Sequence, residues 1–277
     1  MDNSLDVSEL ADIDAPIGYM VDTGKTPVFY QSNVPGERTK VEGTREKHIM
    51  TVRNGRLLPN VFSLAVEGFA FTEHNTGVVD FHDDTEVAAV YEPEVIKIIT
   101  EYTGASRVVV FDHTRRSSSQ KLREKHNARD PAGTAHTDYT DWSATQRIKD
   151  ILPNESEKIL AKRFAIVNVW RSTNGIIQEW PLALCDARSI NDDCLHTVER
   201  RAYNRIGQTR HASYDANNLW YYFPKMKTSE VVLIKNYDTL RDGTARYSMH
   251  TAFDDPTSLS NAEPRESIET RALVFFD

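Results

Sequence analysis

The stretch AGTAHTDYT, residues 132–140, sets His136 and Asp138 two positions apart. On a β-strand, residues two apart project from the same face, so an imidazole and a carboxylate would stand side by side. A second imidazole delivered by the fold would complete the two-histidine, one-carboxylate set that binds non-haem Fe(II) on one side. His250, 112 residues after Asp138, is the histidine expected to supply it. The tripeptide is weak by itself, because His82-Asp83-Asp84 repeats the spacing. The acidic surroundings of His82 read instead as a turn or helix entry.

Working outward, Thr85 to Tyr102 carries Val87, Ala88, Val90, Tyr91, Val95, Ile98 and Ile99 at three- and four-residue spacing. That period predicts a helix, with a kink expected at Pro93 and a stop at Gly104. Residues 107–111 follow as a buried strand. Residues 115–133 are charged and read as a solvated surface loop ahead of the His136 strand. Asp141 is the expected N-cap of a helix over 141–152, ended by Pro153. Phe164 to Trp170 is the clearest strand, and short strands are predicted at 182–185, 208–214, 219–223, 231–234, 246–253 and 268–276. Strands dominate the second half. The expected class is mainly β (α+β), a double-stranded β-helix (jelly-roll or cupin-like) core with flanking helices. A metal site in such a core draws on an early and a late strand, which favours His136, Asp138 and His250 over His82.

The 277 residues suit one domain over 1–277, with an extended N-terminal arm at 1–45 and a core from about 46 to 277. A formal net charge of −8 argues against a nucleic-acid partner, which needs clustered positive charge. The basic run Arg115, Arg116, Lys121, Arg123, Lys125 reads as a solvated loop and helix start. No N-terminal apolar run predicts a signal peptide or membrane span. Two cysteines outside any C-x-x-C arrangement fit a reducing, cytoplasmic compartment and no structural zinc. Oligomeric state stays open.

Eight motifs in order carry a resemblance: FDHTRR (111–116), HTDYT (136–140), NVWR (168–171), PLALCD (181–186), LWYYFPKM (219–226), KNYD (235–238), ARYSMHTAFDDP (245–256) and PRESIETRALVF (264–275). Together they resemble the CmcJ/AsaB-like hydroxylase/desaturase family over nearly all of the chain beyond residue 45. The resemblance implies a jelly-roll oxygenase that uses Fe(II), 2-oxoglutarate and O₂ on a small secondary-metabolite intermediate. Hydroxylation, desaturation and oxidative ring closure all share that chemistry.

The co-substrate's distal carboxylate calls for a buried arginine. Arg265, in an R-x-S pattern with Ser267, and Arg271 share strand parity, with Ser267 and Glu269 between them on the same face. They compete for the role, with a lean to Arg271 and an ion pair to Glu269 as the alternative for the other. Asn168 is a further candidate contact to co-substrate or substrate. Tyr139, Trp170, Tyr222, Phe253, Leu273 and Phe275 are the expected pocket walls. The alternatives are a metal enzyme that does not use 2-oxoglutarate, and a jelly-roll binding protein without catalysis.

Overall fold

A computed structural model of the chain describes residues 11–30, 40–58, 61–202 and 205–277. Fifteen strands lie in two sheets among the described residues. The smaller sheet is antiparallel, in the order β5 (Phe69–Glu73), β13 (Glu230–Asp238), β8 (Phe164–Ser172), β15 (Glu266–Phe275) and β6 (Arg107–Ser117). The larger runs β1 (Ile13–Met20), β4 (Arg45–Asn54), β12 (Trp220–Tyr222), β9 (Leu182–Cys185), β14 (His250–Ala252), β7 (His136–Thr137), β11 (Arg205–Ala212), β10 (Leu195–Ala202), β2 (Val28–Tyr30) and β3 (Lys40–Val41). This is the jelly-roll core that the strand pattern predicts.

Both faces of the smaller sheet are covered, so its central strands read as continuous apolar runs rather than alternating ones. On its outer face Val167, Val169, Leu233, Ala272 and Val274 pack against Val95, Ile98 and Ile99 of helix α2 (Glu92–Thr103). On its inner face Trp170, Val232 and Ile234 meet Leu182 and Leu184 of the larger sheet. The interior between the sheets is where inward polar residues collect. Pro93 sits in the first turn of α2, where its missing N–H costs no hydrogen bond. The interruption expected there falls earlier, in a π-helical turn at Val87–Tyr91 that joins α1 (Asp84–Glu86) to α2. Gly104 ends α2 in the left-handed conformation, φ 67°.

Several local expectations change. Residues 115–117 belong to β6, and α3 (Gln120–His126) occupies part of the expected loop. The helix α4 (Asp141–Ile151) is capped by Thr140, not Asp141: Thr140 and Ser143 exchange side-chain-to-backbone bonds in a capping box. Strand β10 was unforeseen, and the expected strand over 246–253 contracts to β14.

The expected N-terminal arm is also revised. Residues 1–10 and 31–39 lie outside the described residues, but β1 pairs with β4 over its whole length, and Ala15, Ile17 and Tyr19 are buried in the core. Its neighbour is the segment leading to His136: Ala135 N–H donates to the Gly18 carbonyl at 2.8 Å. A Cβ on Gly18 would meet the Gly133 carbonyl oxygen at 2.1 Å, so only glycine permits this approach. Gly18→Ala is expected to cost about 1–3 kcal/mol through overpacking and to weaken metal binding. Denaturant midpoints and an anaerobic Fe(II) titration of the variant check both effects; an unchanged midpoint would mean that β1 does not buttress the metal strand.

Candidate metal centre

Strand β7 is only two residues long, yet it lies between β14 and β11. His136 is directly opposite His250 on one side and His211 on the other. Cross-strand partners share a face, so His136 and His250 turn inward together, ring centroids 4.5 Å apart. Asp138 follows immediately, its backbone N–H donating to Asn236 Oδ1 at 3.1 Å, and the α4 cap begins two residues later. A fixed strand end and a fixed helix start hold the carboxylate between them.

The ligand atoms of His136, Asp138 and His250 lie within 4.8 Å of one another, and all three residues are buried. His136 Nδ1–H donates to the Thr134 carbonyl at 2.8 Å, which leaves the Nε2 lone pair facing Asp138 Oδ1 at 3.6 Å. That gap is too long for a hydrogen bond and short enough for both atoms to share a metal about 2.1 Å from each. Among the described residues both ring nitrogens of His250 are buried without a hydrogen-bond partner, a costly arrangement unless a further group completes it. Burial pushes the His136 imidazole down to about 3, with His250 beside it acting in the same direction. Burial also lowers His250. For Asp138, burial acts upward, but the Arg271 guanidinium and the Asn168 amide hold its carboxyl well below the usual range. Neutral imidazoles and an ionised carboxylate are the protonation states that divalent iron requires.

The same shifts make the metal-free fold acid-labile. An unfolded imidazole titrates near 6.5, whereas His136 resists protonation down to about 3 in the fold. Between those values the unfolded chain binds more protons, so stability falls as pH falls. The denaturant midpoint of the metal-free protein is expected to decline steadily from pH about 6.5 to 4. A flat profile would mean that the folded protein accepts those protons.

The smaller sheet supplies the surrounding polar groups by strand parity. Asp138 Oδ2 accepts from Arg271 Nε at 2.9 Å and from Asn168 Nδ2 at 2.9 Å. Asn168 also donates to Glu269 Oε1 at 2.9 Å. Arg271 continues to Asp112 Oδ2 at 2.6 Å, Thr114 Oγ1 at 2.7 Å and Glu269. Three carboxylates thus engage Arg271. Arg265 differs: it is buried, donates to Ser267 Oγ at 3.2 Å and to the Trp180 carbonyl, and lies 5.0 Å over the Trp170 ring. Among the described residues no carboxylate pairs with it. Burial and the nearby Arg116 push its guanidinium down to about 9.

Two cavities meet the triad. A small one is lined by His136, His250, Arg265, Arg116 and Trp170. A larger one, about 370 Å³, is lined by Asp138, Tyr139 and Arg271 with residues of β10, β11 and α4. Of the expected walls, Tyr139 lines the larger cavity and Trp170 the smaller. Tyr222 and Phe253 correct the expectation: they pack edge to face at 5.8 Å in the cluster with Ala183 and Cys185, on the opposite face of the larger sheet from Leu184 and His250. Leu273 and Phe275 are likewise core, packed with Ile148 of α4 and Phe164.

Sequence reasoning missed Asp112, Thr114, Arg116 and Asn236 as neighbours of the site. The alternation of Asp112, Thr114 and Arg116 was the available signal for a shared inward face, obscured by reading residues from 115 on as a loop. Arg116, expected to be solvated, lines the smaller cavity. The rival His82 has a different environment. Asp83 caps α1 and Asp84 pairs with Arg115 at 2.7 Å, so neither carboxylate joins His82. Instead His82 stacks on His126 at 3.7 Å, near Glu266, in a partly exposed group that could also hold a cation.

A buried two-histidine, one-carboxylate triad inside a jelly roll defines the class of mononuclear non-haem iron oxygenases. A family model described as "Oxidoreductase/YMDC permease-like domain" matches residues 17–275. No helix of the described residues is long and apolar enough to cross a membrane. The chain is 34% identical to the hydroxylase/desaturase CTB9 of Cercospora beticola, over 84% of this chain and 78% of that protein. It is 30% identical to the Fe(II)/2-oxoglutarate-dependent dioxygenase nvfI of Aspergillus novofumigatus (strain IBT 16806), over 91% of each. A solved structure of the iron and alpha-ketoglutarate-dependent endoperoxidase NvfI superposes with a TM-score of 0.85 at 27% identity, covering 96% of this chain and 98% of that one. The chain belongs to the CmcJ/AsaB-like hydroxylase/desaturase family, and it is an Fe(II)/2-oxoglutarate-dependent oxygenase of secondary metabolism acting by C–H activation.

Proposed function

We propose that His136 through Nε2, Asp138 through Oδ1 and His250 hold the iron, and that Arg265 with Ser267 receives the distal carboxylate of 2-oxoglutarate. The observation that carries this reading is a buried guanidinium without a carboxylate partner, in the same small cavity as the unpartnered His250 ring. Bound there, iron and 2-oxoglutarate supply oxidising power from O₂ sufficient to break an unactivated C–H bond. The chain's own residues do the positioning. Asn168 and Arg271 fix Asp138 Oδ2, so that Oδ1 is the free oxygen. Thr134 fixes the His136 tautomer by accepting from Nδ1–H. Trp170 supports the plane of Arg265 and helps keep water from the small cavity. The lean to Arg271 as co-substrate ligand is thereby replaced: Arg271 already meets Asp138, Glu269 and Asp112, and serves as the brace of the metal-binding carboxylate.

The larger cavity beyond Asp138 takes the small-molecule substrate. Its volume, about 370 Å³, is within the ordinary range of ligand pockets. The unpaired thiols Cys185 and Cys194 support a reducing, cytoplasmic setting. The test is oxygen uptake with succinate formation. Both are expected to require Fe(II) and 2-oxoglutarate, and turnover without 2-oxoglutarate would remove the role given to Arg265.

A further inference from the structure

The larger cavity has a charge opposite to that of the protein around it. Its lining includes Arg129, Arg147, Arg200 and Arg205 in addition to Arg271, against only Asp112 and Asp138. Both of those carboxylates are engaged by Arg271. Among the described residues, Arg129, Arg147, Arg200 and Arg205 make no ion pair. Four guanidiniums without an ion pair among the described residues therefore line one cavity, Arg147 and Arg200 partly buried and Arg129 and Arg205 exposed, in a chain whose formal net charge is −8.

Two of the four are only partly solvated. Arg147 of α4 has a buried Nε without a hydrogen-bond partner among the described residues, and its guanidinium lies 5.1 Å over the Phe111 ring. Arg200 of β10 is held below the usual arginine range by burial and by the neighbouring Arg129. Like charges brought together in a partly dehydrated wall repel one another and disfavour a cationic guest, whereas an anion is attracted by all of them. Phe111 and Tyr139 add aromatic surface to the same cavity.

We propose that the substrate is an organic acid, whose carboxylate docks against Arg147 and Arg200 while its apolar body lies along Phe111 and Tyr139 towards Asp138. This rests on reading the cavity as the substrate end of the iron site. It favours an acid over an amine, and it assigns the arginines to recognition, not to solubility. A planar guanidinium takes a carboxylate with two parallel hydrogen bonds, which fixes the guest's orientation relative to the iron.

Naphthalene-2-carboxylate and its neutral counterpart naphthalene-2-carboxamide are suitable probes. Each is titrated calorimetrically, without oxygen, into enzyme already saturated with Fe(II) and 2-oxoglutarate, so that the co-substrate site is filled. The carboxylate is expected to bind at least about tenfold more tightly than the carboxamide. Substituting Arg147→Gln and Arg200→Gln together should remove that preference and leave carboxamide binding as it was. Arg200→Lys, which keeps the charge, should retain part of the preference and verifies that loss reflects charge and not misfolding. Equal affinity for the two probes, binding of neither, or a preference that survives the double substitution overturns the proposal. Titration of 2-oxoglutarate into the Fe(II)-loaded enzyme, before it is saturated and the probes are added, reports separately on the co-substrate assignment. Its failure beside an intact carboxylate preference would fault Arg265 while supporting the acid pocket.

Discussion

His250→Ala is expected to abolish Fe(II) binding and 2-oxoglutarate-dependent O₂ uptake while the fold persists. Outer partners of metal ligands typically change metal affinity by about 10–100-fold, and removal of a ligand itself should exceed that range. The residue is well chosen for the test because neither of its ring nitrogens has a hydrogen-bond partner among the described residues. Deleting it therefore leaves no buried partner unsatisfied, and the metal-free variant should keep a cooperative transition. Asp138 is a poorer choice. Its carboxylate stands against Arg271 and Asn168, so Asp138→Ala would strand part of a buried charge network and lower stability together with iron binding. Asp138→Asn preserves the shape and is the better partner experiment. Full anaerobic Fe(II) binding by His250→Ala would move the metal elsewhere, and the group around His82 and His126 would be the first to test.

Arg265 and Arg271 should separate cleanly in a second experiment, although their spacing gives them the same strand parity. Arg265→Gln is expected to raise the KM for 2-oxoglutarate by about 30-fold or more, since losing one partner of a buried charge pair costs about 2–5 kcal/mol. Its stability should change little, because among the described residues Arg265 hydrogen-bonds only Ser267 and a backbone carbonyl. Arg271→Gln is expected to destabilise the protein by about 3–5 kcal/mol, because Asp138 and Glu269 would be left buried without their counter-charge. KM and denaturant midpoint, measured on both variants, read the two effects independently. An Arg271 variant with normal stability and a raised KM would reverse the assignment.

The competition between these arginines shows where local sequence information ends. Parity placed Arg265, Ser267, Glu269 and Arg271 on one face, and all four are found there, with Asn168 and Trp170 opposite them on the adjoining strand. Periodicity also located the long helix, the strongest strands and the H-x-D pair. Parity says which way a side chain points, but not what it meets. Arg271 is paired because Asp112 and Thr114 arrive from β6 and Asp138 from beyond β7. Those partners lie far away in sequence.

The same limit explains Tyr222 and Phe253. Both are aromatic and close in sequence to site motifs, yet the pleat turns them to the far face, where β1 completes their cluster. That β1 belongs to the sheet at all was hidden by the turn-rich residues around it. By itself the sequence determined a jelly roll, its strand faces and the three residues able to meet at a metal, because spacing along a chain dictates facing. The tertiary structure decided which arginine was left without a counter-ion, which aromatics line a cavity, and how positive the larger cavity is. Those are properties of groups brought together across strands, and burial gives their mutual charge its weight.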